Sequence, residues 1–169
     1  MEDQLVLHEG LREDAYRDTL GYWTIGVGYN LSARGPAALE TAIGRKFTVK
    51  DLQGRARYST LHITREEALK ALRLDIKRVT GAVAAAWPFY SQLDPVRQKV
   101  AVDMAFNMGH KAERFVGTIA AIEAGDWPAA VSHLYHSRWA GQVGDGEGGQ
   151  FDRADRLTRM LLTGEDYTA

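Results

Sequence analysis

Leu7-His8-Glu9-Gly10-Leu11 and Asp18-Thr19-Leu20-Gly21-Tyr22-Trp23-Thr24-Ile25-Gly26-Val27-Gly28 mark the point where a helical pattern gives way to a strand pattern. Upstream, Glu2 and Asp3 suit the positive end of a helix, and Leu5, Val6 and Gly10 predict a short helix over 2–10 closed by its glycine. Downstream, Trp23, Ile25, Val27 and Tyr29 alternate with Tyr22, Thr24, Gly26 and Gly28, predicting a strand with one packed face after a turn at Thr19-Leu20-Gly21. On this alternation Thr24 points away from Trp23 and Ile25, and Gly26 and Gly28 share its face. An open face floored by glycine would admit a bulky substrate to the backbone, although the same glycines suit a plain twisted hairpin.

Glu9 and Asp18 thus stand on different kinds of element, with the Thr24 hydroxyl shortly after them. Carboxyls in unlike environments can divide acid and base roles, one keeping its proton while the other ionises, and glycosidic bonds are cleaved by such pairs. A chain with 22 acidic residues offers many pairs at this separation. Spacing alone favours the plain reading of Glu9 as a solvated residue at a helix end.

The ordered run Glu9-Gly10-Leu11-Arg12, Ala15-Tyr16-Arg17-Asp18 and Gly21-Tyr22-Trp23-Thr24-Ile25-Gly26-Val27-Gly28 resembles the catalytic signature of the phage-type lysozymes, the endolysins of glycoside hydrolase family 24. Further segments similar to the family are Ala42-Ile43-Gly44-Arg45, Leu93-Asp94-Pro95-Val96-Arg97, Ala105-Phe106-Asn107-Met108-Gly109, Ser137-Arg138-Trp139 and Arg153-Ala154-Asp155-Arg156. The resemblance implies an endolysin cutting the β-1,4 bond between N-acetylmuramic acid and N-acetylglucosamine of peptidoglycan, without a cofactor or metal. It implies Glu9 as general acid in a proton-retaining environment, Asp18 as the base that activates water, and Thr24 as the group holding that water. It also favours inversion, for which carboxyls about 6.5 to 9.5 Å apart are expected.

By the same alignment Asn30, Phe106, Thr118 and His133 fall at saccharide-contacting positions, although Phe106 suits a core and His133 a helix surface equally well. Arg153 falls beside the catalytic glutamate, where its charge would favour the ionised Glu9 until substrate or loop closure separates them. Two positions depart from the family. Tyr29 stands where a histidine pairs with a distant carboxylate, removing an expected ion pair, and Asn107 replaces a glutamine, with a consequence for specificity.

The remaining sequence reads as an α+β, mainly helical chain, a single lysozyme-like domain over 1–169 with two lobes. A small N-terminal lobe over 12–63 carries the β-hairpin or short sheet. A long helix over 65–86 joins it to a helical C-terminal lobe over 88–169, with which the helix 2–10 is grouped. In the small lobe Ser32 to Pro36 reads as a turn or loop, Ala37 to Ile43 as a helix ended by Gly44, and Lys46 to His62 as an insertion at the outer edge. Thr64 and Glu67 form a capping box before Leu69, Leu72, Ile76, Val79 and Val83, whose helical spacing stops ahead of Pro88. At 1.5 Å per residue that helix spans roughly 30 Å.

Asp94-Pro95 opens a helix ended at Gly109, a second runs from Phe115 to Ala124, and Asp126-Trp127-Pro128 opens a third carrying Val131, Leu134 and Tyr135. Gly141 to Gly149 reads as a flexible loop, and the last helix, with Leu157, Leu161 and Leu162 on its apolar side, ends at Gly164.

Composition bounds the function. Hydrophobic residues at 45%, charged residues at 25% and a net charge of −1 are ordinary globular values, with no basic field for nucleic acid. The chain has no cysteine, which excludes disulfides and thiolate chemistry. Acidic residues at the start and the lack of a long apolar run give the expectation of accumulation in a host cytoplasm without membrane insertion, and a monomer is expected. Release to the cell wall would then need another factor, which the resemblance to the endolysins implies is a separate holin. His133 and His136 have an i, i+3 spacing, but no acidic residue completes a zinc-protease motif. A lytic transglycosylase, or a helical module that binds peptidoglycan without cutting it, remains an alternative.

Overall fold

A computed structural model describes residues 1–53, 56–143 and 152–167. The chain divides into two compact units, Met1–Lys77 and Arg78–Ala169. The long helix α5, Arg65–Ala86, runs through the division. It has the bounds that the capping box and Pro88 specify, and both box bonds are present, from Glu67 N to Thr64 Oγ1 at 3.2 Å and from Thr64 N to Glu67 Oε2 at 2.9 Å. The chain is therefore mostly helical, with a small sheet in the N-terminal lobe joined through α5 to a helical C-terminal lobe.

In the first unit, α1 (Glu2–Glu9) ends at Gly10, whose φ of 72° only glycine adopts without strain. Three antiparallel strands follow in the order β1 (Arg12–Arg17), β2 (Trp23–Gly26), β3 (Tyr29–Asn30). β1 is irregular between Arg12 and Tyr16, where Glu13 and Ala15 turn their backbone bonds to Ile63 and Leu61 instead. Next come α2 (Leu31–Arg34), α3 (Ala37–Ile43) and α4 (Val49–Leu52).

Three sequence expectations for this unit need correction. The alternation from Trp23 does not run on as one strand to Tyr29, because Gly26 and Gly28 take φ values of 63° and 67° and turn the chain into β3. The two glycines therefore do not floor a common open face: a Cβ on Gly26 would meet Ile63 and Ala68, whereas one on Gly28 would meet Glu9. The stretch from Ser32, expected as a turn or loop, contributes to the single helical turn α2, capped by Asn30.

The third correction concerns Lys46 to His62, which does not lie wholly at the outer edge. Phe47, Tyr58 and Leu61 are buried with Ile25, Leu31, Leu39 and Ile43 in the core of this unit. Without a regular period, their burial depends on contacts distant in sequence. The local signal was Thr48 and Asp51, which form a capping box on α4.

In the second unit, α6 (Pro95–Met108) opens on Asp94, whose Oδ1 accepts from the backbone of Val96 and Arg97. It is followed by α7 (Val116–Glu123), α8 (Trp127–Tyr135), α9 (Ala140–Val143) and α10 (Arg153–Thr163). α10 packs on α6 and α8, burying Leu157, Met160 and Leu161. Leu162, expected on the apolar side, is instead 47% exposed, because the helical rotation after Leu161 carries it out of the buried stripe. Gly141 lies in the short helix α9 rather than in a loop, and the rest of the glycine-rich run from 144 to 149 lies outside the described residues.

Candidate active site

The first unit holds Glu9, Asp18 and Thr24. Glu9 is the last residue of α1 and packs against the β2–β3 turn. An ideal Cβ at Gly28 would lie 3.2 Å from Glu9 Oε2 and 3.5 Å from its Cγ. A side chain at position 28 would push the carboxyl away, so the glycine serves this close approach as well as its positive φ.

Asp18 lies at the end of the β1–β2 hairpin and organises its turn. Its Oδ1 accepts from Leu20 N at 2.9 Å and Tyr22 N at 2.8 Å, while its own N–H donates to Tyr22 O at 2.9 Å. Two backbone donors on one oxygen fix the orientation of the carboxylate. The other oxygen, Oδ2, faces the Thr24 hydroxyl at 3.5 Å. That hydroxyl is also 3.3 Å from Tyr22 O, so its proton has two distant acceptors and a strong bond to neither.

Tyr16 links the two carboxyls. It is the cross-strand partner of Thr24, which puts both side chains on one face of the hairpin. Burial raises the Tyr16 phenol pKa; the Arg12 guanidinium, 4.4 Å over the ring, opposes this, and the nearby Glu9 and Asp18 charges add to it. Both carboxyls therefore act on one phenol. The sequence reading quoted Tyr16 without a role; its place two residues before Asp18 on a strand was the available signal.

Of the other candidates, Asn30 is the cross-strand partner of Thr24, on β3. Asn30 uses its Oδ1 to cap α2, accepting from Ala33 N at 2.9 Å. In the second unit, Thr118 and His133 meet on a shallow cavity of about 280 Å³, and His133 covers Gly117 so closely that a Cβ there would lie 3.2 Å from its ring. Thr118 is buried and contributes wall, while His133 is exposed. Phe106 is half-buried on α6 and does not line that cavity. Its neighbour Asn107 accepts from Trp139 Nε1 at 2.9 Å, so the asparagine at this departure from the family orients an indole.

Arg153, at the start of α10, is 7% exposed and its Nε donates to the fully buried Asp103 at 2.8 Å. Sequence reasoning missed Asp103, although a lone acid inside Val100-Ala101-Val102-Asp103-Met104 was a legible sign of a buried partner. It also missed the Arg34–Asp75 pair. Tyr29 does cost a histidine, but Arg34 lies 4.1 Å over its ring and binds Asp75 through two nitrogens at 2.6 and 2.8 Å. An ion pair is thus present here with a different cation. No group of three or more His, Cys, Asp or Glu side chains suited to a metal occurs among the described residues.

Residues 6–156 match the family model described as phage lysozyme. The chain is 26% identical over 173 residues to "Probable T4-type lysozyme 1" of Dictyostelium discoideum, covering 97% of this chain and 94% of that protein. It is 24% identical over 170 residues to "Probable T4-type lysozyme 2" of the same organism, with the same coverage. It is also 31% identical over 175 residues to "Pre-baseplate central spike protein Gp5" of Enterobacteria phage T4, but covers only 28% of that protein.

Proposed function

Since the chain belongs to the phage lysozyme family, a lysozyme-type glycoside hydrolase acting on peptidoglycan, we propose that Glu9 and Asp18 divide the work of cleaving its glycan between acid and base. The observation that carries this is the unequal use of the Asp18 oxygens. Oδ1 is fixed by two backbone N–H groups, and Oδ2 is turned toward a hydroxyl with no strong bond of its own.

A water that donates to Asp18 Oδ2 and accepts from Thr24 Oγ1 has its remaining lone pair aimed at the anomeric carbon. Asp18 takes the water proton as the carbon–oxygen bond forms. Glu9 gives its proton to the departing oxygen, so the glycosidic bond breaks without expelling an alkoxide. Attack from the face opposite the leaving group inverts the anomeric carbon. The bond cut is the β-1,4 link between N-acetylmuramic acid and N-acetylglucosamine, and the product carries a new reducing end.

Asn30, Phe106, Thr118 and His133 belong to this proposal as saccharide contacts, and Arg153 as the charge that tunes Glu9. So does the place of action: accumulation in a host cytoplasm as a monomer and passage to the wall through a separate holin. No helix among the described residues is long and apolar enough to cross a membrane.

The test is chemical analysis of the muropeptides released by the purified protein, with Glu9→Gln and Asp18→Asn as variants. Reducing N-acetylmuramic acid ends, and a loss of about a thousandfold in kcat for either variant, are expected. Anhydro ends with Asp18→Asn still active would mean a transglycosylase; peptidoglycan binding without released ends would mean a binding module.

A further inference from the structure

The turn that holds Asp18 carries two apolar side chains that the core does not use. Leu20 is 79% exposed and Tyr22 is 49% exposed. Each donates its backbone N–H to Asp18 Oδ1, at 2.9 and 2.8 Å, and the Tyr22 carbonyl accepts from Asp18 N at 2.9 Å. The backbone of Tyr22 is thereby locked to the carboxylate on both sides, while its ring is left in solvent.

The face it belongs to follows from the strand register. Tyr16 pairs with Thr24 and Arg17 with Trp23 across the hairpin. Alternation then puts Tyr16, Asp18, Tyr22 and Thr24 on one face and Arg17, Trp23 and Ile25 on the other. The second face is identified independently: Ile25 lies in the core of the first unit and Trp23 packs against it. Tyr22 is therefore an exposed aromatic ring on the side of the hairpin that presents Asp18 and Thr24, anchored to the base itself.

We propose that Tyr22, flanked by Leu20, is the stacking platform for the N-acetylated pyranose ring next to the scissile bond. The inference rests on the lysozyme reading of the site and extends it to a residue outside the acid, base and water-holding set. The occupant follows from the chemistry. A pyranose ring presents axial C–H groups on its flat face, which pack on the face of an aromatic ring, while its hydroxyls stay hydrated. A charged ligand would find no opposite charge on either side chain, and a protein partner would have to cover the hydroxyl and carboxylate that the reaction needs.

Two measurements separate this inference from the reading beneath it. In the Glu9→Gln background, titration calorimetry with soluble, uncross-linked peptidoglycan glycan strands should show binding, which Tyr22→Ala weakens roughly tenfold. Tyr22→Phe and Tyr22→Trp should bind within about twofold of the parent, because the ring and not the hydroxyl makes the contact. In the active protein, Tyr22→Ala should raise KM by a similar factor and change kcat by less than about threefold, with an unchanged melting temperature. Equal affinity of Tyr22→Ala and its parent would overturn the platform, as would Tyr22→Phe behaving like Tyr22→Ala. Full turnover by Glu9→Gln would instead remove the acid assignment and leave the platform to be judged on binding alone.

Discussion

Replacing Gly28 with alanine probes whether the β2–β3 turn positions the proposed acid. The new Cβ would stand 3.2 Å from Glu9 Oε2, a tight contact that the carboxyl can relieve only by shifting a few tenths of an ångström, and at ordinary contact distance from its Cγ and Cβ, 3.5 and 3.6 Å. The φ of 67° adds a backbone penalty of about 1 to 2 kcal/mol for an L residue. Gly44 is the matched control. Its φ is 78°, and its Cβ would meet only the flexible end of Lys70, at 3.4 Å. Both variants should lose about 1 to 2 kcal/mol, or roughly 2 to 8 °C in melting temperature for a chain of this size.

Only Gly28→Ala should also lose activity. A displacement of a full ångström can cost a hundredfold in rate, so a shift of a few tenths should lower kcat by about tenfold. The assay is release of reducing ends from soluble glycan, well below both melting temperatures. If Gly28→Ala and Gly44→Ala retain the same kcat, the close approach at position 28 does not position the acid, and the argument from it fails.

Three other outcomes are expected. Thr24→Val keeps the buried shape but removes the hydroxyl beside Asp18 Oδ2, and should lower kcat by roughly 10- to 100-fold, while Thr24→Ser recovers most of it; equal rates for Val and Ser would dismiss the water-holding role. Asp103→Ala leaves the Arg153 guanidinium buried without this carboxylate and should cost about 3 to 5 kcal/mol in urea unfolding, and a loss below 1 kcal/mol would show that the pair is dispensable. The Arg45 hydrogen bond holds the Glu67 carboxyl below its ordinary 4.5, so its contribution is present above that value and disappears as pH falls through the lowered folded value. Glu67→Gln should therefore flatten the dependence of melting temperature on pH across the acid range below about 4.5, and an unaltered profile would contradict the assignment.

The local chemistry of the chain was enough to determine α1 with its Gly10 stop, the Thr64–Glu67 box and full extent of α5, and the Asp94-Pro95 start of α6. Each depends on residues within a few positions of one another, whose caps, prolines and apolar spacing act through short-range hydrogen bonds and sterics. The run from Glu9 to Gly28 likewise carried its family resemblance in the residues themselves. Tertiary structure decided what local rules do not encode. Gly26 faces the core and Gly28 faces Glu9 because two positive φ angles turn a run that alternates like a single strand. Phe47, Tyr58 and Leu61 enter the core from a stretch with no period, since burial is settled by partners far along the chain. Asp75 and Asp103 lie inside apolar stripes and are tolerated there because Arg34 and Arg153, 41 and 50 residues away, supply the opposite charge. Desolvation makes those distant pairings obligatory, and chain topology alone brings their members within reach.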